Sequence, residues 1–108
     1  MNTTPFASAD EAWFWTVTAL AIRHGVTGMA KRPSQRNLAR PCGPDDVIRA
    51  LDLLYREGSI NPSHARVLRR WGEKQVAPTA SGQAADATLW NEAMQLLDGV
   101  LRVKGIVA

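Results

Sequence analysis

The sequence predicts a small all-α domain of about four helices. Apolar residues recur at helical spacing in four separate stretches, and cap and stop residues bracket each one. No stretch shows the alternation of apolar and polar residues that a half-buried strand requires. A chain of 108 residues suits one domain, and at 45% apolar content it can bury a core without staples.

Residues 1–7 read as a flexible leader, followed by a single helical domain over 8–108. Ser8 opens the first helix, where Ser8 and Glu11 form a capping-box pattern. The helix is expected to run to about His24, with Gly25 as its stop. Trp13, Val17, Leu20 and His24 lie on one face, and Ala12, Trp15, Ala19 and Ile22 on a second. A helix apolar nearly all round is buried on more than one side, so it is expected to be the central helix, with a dimer interface as the alternative. Residues 25–43 lack periodicity and carry Lys31, Arg32, Arg36 and Arg40 with no acidic residue; they read as a long basic loop.

Pro44 fits the first position of a second helix, and Asp45 and Asp46 fit the positive end of its dipole. Val47, Ile48, Leu51, Leu54 and Tyr55 form the expected buried face. Asp45 with Arg49, and Asp52 with Arg56, have i,i+4 spacing. Gly58 stops this helix, Asn61 caps the next, and Pro62 starts it. Ile60, His64, Val67, Leu68 and Trp71 make the inner stripe of the third helix, and Ser63, Arg66, Arg70, Glu73 and Lys74 its outer face. A small-residue linker over 75–85 leads to a last helix, from about Asp86 to Lys104. Leu89, Ala93, Leu96, Val100 and Val103 recur there at helical spacing, flanked by Trp90, Met94, Leu97 and Leu101, which makes a wide apolar face, and Gly99 is expected to admit a close backbone.

Charge is uneven. Formal net charge is +3, yet residues 23–74 hold eleven Lys and Arg against five Asp and Glu. A basic middle between mildly acidic ends favours an acidic partner, nucleic acid first among them. The second and third helices read as a helix-turn-helix-like pair. DNA readers of that kind place the second helix in the major groove and hold it with phosphate contacts. The candidate contacts are Arg66, Arg69, Arg70 and Lys74, with Lys31, Arg32, Arg36 and Arg40 as an arm. The match is imperfect. With Gly58 as the turn glycine, Leu54 and Glu57 stand where that motif has a small and an apolar residue.

The block RPCGPDDVIRALDLLYREGSINPSHARVLRRWGEKQ and the ending LRVKGIVA resemble small, functionally uncharacterised, all-helical bacterial proteins. The resemblance implies a helical fold and carries no activity, cofactor or site residue.

Other chemistries find little support. One cysteine and two histidines do not complete a zinc tetrahedron. His24 and His64 lie on apolar faces, Asp45 and Asp46 answer the helix dipole, and no phosphate-binding glycine loop is present. Enzymatic activity, a cofactor and a small-molecule substrate are therefore not expected. Cys42, beside Arg40 and just before a helix start, is an ordinary loop cysteine or a reactive thiol. The four tryptophans read as core residues rather than base-stacking platforms. No signal sequence is expected, since Asp10 and Glu11 stand where one would be positive. That and the single cysteine favour the cytoplasm. The expected function is a small DNA-binding regulator of transcription or replication. The alternative is a protein-interaction module, an adaptor or regulatory subunit, as a monomer or a homodimer.

Overall fold

The computed structural model describes residues 4–23 and 42–108. Four helices make up the described fold: α1 Ala9–Arg23, α2 Pro44–Arg56, α3 Pro62–Lys74 and α4 Ala84–Val103. The starts of α2 and α3 coincide with their proline signals, while α4 begins two residues before the expected Asp86.

The ends follow local chemistry. Ser8 Oγ accepts from the Glu11 amide at 3.3 Å. Glu11 Oε1 reaches back to the Ala7 amide at 2.8 Å, one residue beyond the usual capping box. Asn61 Oδ1 accepts from the Ser63 and His64 amides at the head of α3. At the foot of α2, Gly58 is left-handed at φ 83. There the Gly58 amide bonds Tyr55 O at 3.1 Å and the Ser59 amide bonds Leu54 O at 3.0 Å, a Schellman stop. Gly105, at φ 77, ends α4 with the same pair of bonds, to Arg102 O and Leu101 O.

α1 packs on α2, α3 and α4, in keeping with its all-round apolar surface. α4 also touches the other three helices, so the centre is shared between α1 and α4. α2 and α3 do not pack on each other. The helix-turn-helix-like pairing expected for them is therefore not found. Ile60, buried at the corner, and the sharp Gly58 stop send α3 away to lie against α1 and α4. Sequence neighbours usually pack together; here the corner makes them diagonal.

Tryptophans tie the helices together. Trp13 Nε1 donates to Leu68 O of α3 at 2.9 Å. Trp90 of α4 donates to Asp10 Oδ2 of α1 at 2.8 Å, and its ring stacks on Phe14 at 5.5 Å. Trp71 of α3 donates to Asp86 Oδ2 of α4 at 2.8 Å. Each buries a large apolar body while its N–H keeps a partner, as buried indoles require.

Several expectations change. The last helix buries Ala87, Trp90, Ala93, Met94, Leu97 and Leu101; the four flanking residues of the wide apolar face are buried, whereas of the set recurring at helical spacing only Ala93 is fully buried. Leu96 is 38% and Val103 89% exposed. α4 carries two apolar stripes, and the one holding Trp90 wins through its contacts with α1. Gly99, expected to admit a close backbone, lies on the open side of that helix. On α2, Tyr55 is 44% exposed, and Ala50 completes the buried stripe with Val47 and Leu54. Arg49 pairs with Asp46 at 3.7 Å rather than with Asp45, because Asp45 reaches Arg23 of α1 at 3.1 Å. The expected Asp52–Arg56 pair is present at 2.9 Å.

The leader also differs at Phe6, which is fully buried. Its amide bonds Ile106 O and its carbonyl accepts from Ala108 N, both at 2.9 Å. Its ring lies 5.1 Å from Trp15. A buried ring and two backbone bonds to the tail hold this segment against the domain. No described helix is long and apolar enough to cross a membrane.

Candidate nucleic-acid interface

The sequence-predicted contacts on α3 share one side of the helix. At about 100° per residue, Arg66, Arg69, Arg70 and Lys74 fall within an arc of roughly 140°. All four are exposed. The opposite side of the helix, with His64, Val67, Leu68, Trp71 and Gly72, is buried. From Arg66 to Lys74 the cations extend about 12 Å along the axis.

What holds that side outward is the seating of α3 on α1 and α4. Gly72 lies directly under Trp13: a Cβ at this position would stand 2.7 Å from Trp13 Nε1 and 2.9 Å from Val17 Cγ2. Only hydrogen fits, so α3 approaches α1 closely enough for the indole to reach Leu68 O. At the other end, the Asn61 amide donates to His64 Nδ1 at 3.2 Å. His64 Nε2 therefore carries the ring proton and donates to Glu92 Oε1 of α4 at 2.9 Å. Both ring nitrogens are engaged in fixing the helix start. The left-handed Gln75, at φ 59, closes the far end. Its Nε2 donates to Gly72 O at 2.8 Å and to Phe14 O at 3.1 Å.

Carboxylates temper the ridge without covering it. Arg69 Nε is 3.5 Å from Glu73 Oε2, with the Arg69 side chain 83% exposed. Arg70 Nη1 is 4.0 Å from Asp86 Oδ2, an oxygen already engaged by Trp71 Nε1. Exposed pairs of this kind contribute about 0–1 kcal/mol and are screened by salt, so a phosphate can displace them. Among the described residues, Arg66 and Lys74 have no carboxylate within ion-pair reach. Lys74 Nζ instead lies 4.7 Å from the Trp71 ring centroid, and Arg70 Cζ 5.9 Å from it.

Lys31, Arg32, Arg36 and Arg40 lie outside the described residues. The flanking cations of α2 do not join α3, since Arg49 and Arg56 are paired with Asp46 and Asp52 on a helix that does not pack on it. Base-reading groups are scarce: the exposed side of α3 holds no Asn or Gln, and Ser63 is only partly exposed. Trp71 is buried and presents no face for a base. Gly72, His64 and Gln75 were not legible as positioning residues, because their roles depend on contacts with α1 and α4. Among the described residues, no cluster of three or more His, Cys, Asp or Glu side chains could hold a metal ion.

Comparison with protein-family models, with curated proteins and with solved structures gave no significant match to this chain.

Proposed function

We propose that this protein binds duplex DNA through phosphate contacts made by α3, in the service of transcription or replication control. The observation that carries this reading is the shared outward side of Arg66, Arg69, Arg70 and Lys74, braced by buried contacts on the opposite side. Phosphate contacts position a protein on the duplex, while base edges supply sequence information. With few base-reading groups on α3, affinity should depend strongly on salt and weakly on sequence.

Anisotropy of a labelled duplex across a salt series tests it. Replacing Arg66, Arg69 and Arg70 with Gln should shallow the log–log salt slope by about 0.9 for each phosphate no longer neutralised. The idea fails if the wild-type chain shows no affinity for duplex DNA at about 50 mM salt. The competing reading is a protein-interaction module with no nucleic-acid role, favoured by the exposure of Leu96 and Val103. It is the one left standing after that result.

A further inference from the structure

The exposed side of α4 differs in kind from that of α3. Its Leu96 and Val103 face solvent, and Gly99 sits between them with no described residue within 4 Å of the place a Cβ would occupy. A helix-interior glycine costs about 1 kcal/mol against alanine, and no contact with a described residue explains Gly99. The same side carries one anion near the middle of the helix, Glu92, and one cation near its end, Arg102, both exposed. They stand ten positions apart, about 15 Å along the axis.

We infer that this face binds a second copy of the chain, α4 against α4 in antiparallel orientation. The charge order selects the occupant. A two-fold axis beside Leu97, in the C-terminal half of α4, sets Glu92 against the second copy's cation and Arg102 against its anion. A parallel copy sets like charges together, and an isologous dimer satisfies both pairs with one surface. Each group already has an internal commitment. Glu92 Oε1 accepts from His64, and Arg102 uses Nε on Asp98 and Nη1 on the Ala108 carbonyl. Glu92 Oε2 and Arg102 Nη2 take no part in those bonds and remain for the second copy. Gly99 then gives Leu96 of the opposing helix a place to seat, which removes both leucines from water. The inference does not depend on DNA binding, because it uses none of Arg66, Arg69, Arg70 and Lys74.

Sedimentation velocity over a concentration series is the test. The wild-type chain should show a monomer–dimer equilibrium, and Val103→Glu and Leu96→Glu should each weaken it at least tenfold. Arg102→Glu should weaken it as well, and adding Glu92→Arg should restore association. In a Cys42→Ser background, Leu96→Cys, the exposed position beside the two-fold axis, should form an intermolecular disulfide on mild oxidation, a readout that does not rely on the charge variants folding normally. The inference is overturned if the wild-type chain sediments as a monomer at about 100 µM. It is equally overturned if a dimer forms that Val103→Glu and Leu96→Glu leave unchanged, since its interface then lies elsewhere.

Discussion

α3 and α4 lie side by side, yet they present opposite surfaces to solvent. α3 buries all its large apolar side chains and leaves a line of cations outside. α4 buries one apolar stripe and leaves Leu96 and Val103 of a second one exposed. The glycines repeat the contrast. Gly72 of α3 is wedged under Trp13 and Val17, whereas no described residue stands within 4 Å of the Cβ position of Gly99 of α4. A surface whose apolar content is fully used inside the domain is free to serve an ionic partner. One with apolar content left over is suited to a partner that buries it.

The glycine pair gives the largest test of that contrast. Gly72→Ala drives a methyl group into Trp13 and Val17. Trp13 is buried and held by its bond to Leu68 O, so the ring has little room to yield. Overpacking of this kind should destabilise the domain by about 1–3 kcal/mol, seen as a lower midpoint in urea denaturation. A neutral result would mean that α3 is not clamped on α1 as described. Gly99→Ala should have the opposite sign, stabilising the dilute chain by about 1 kcal/mol through helix propensity alone. A destabilised monomer would show that Gly99 has a role inside the domain. The smallest effect belongs to the ridge itself. Glu73→Gln removes the carboxylate beside Arg69 and should tighten duplex DNA binding by less than about 1 kcal/mol. Weaker binding in an anisotropy titration of that variant would mean that Glu73 organises the ridge rather than competing with phosphate.

The outward side of α3 was legible because its apolar residues form a single stripe. Once Ile60, His64, Val67, Leu68 and Trp71 are assigned inward, the arginines have one direction left. α4 was not legible in the same way. Leu89, Leu96, Val100 and Val103 compete with Trp90, Met94, Leu97 and Leu101, and helical period alone does not rank two stripes of similar hydropathy. Nor was Phe6, because a leader with one aromatic residue has no pattern; its burial depends on Trp15 and on the tail at Ile106 and Ala108. The basic arm with Lys31, Arg32, Arg36 and Arg40 lies outside the described residues, so its relation to the α3 ridge is an expectation from sequence.

The amino-acid sequence by itself determined the four helices of the described residues, most of their ends and the polarity of α3. These depend on interactions within a few residues: caps, stops, proline starts and the period of one stripe. Only the tertiary structure decided that α2 and α3 lie apart, that Leu97 rather than Leu96 enters the core, and that Gly72 lets α1 and α3 meet. Those outcomes depend on which surfaces the other helices offer, and burial is a property of both partners in a contact.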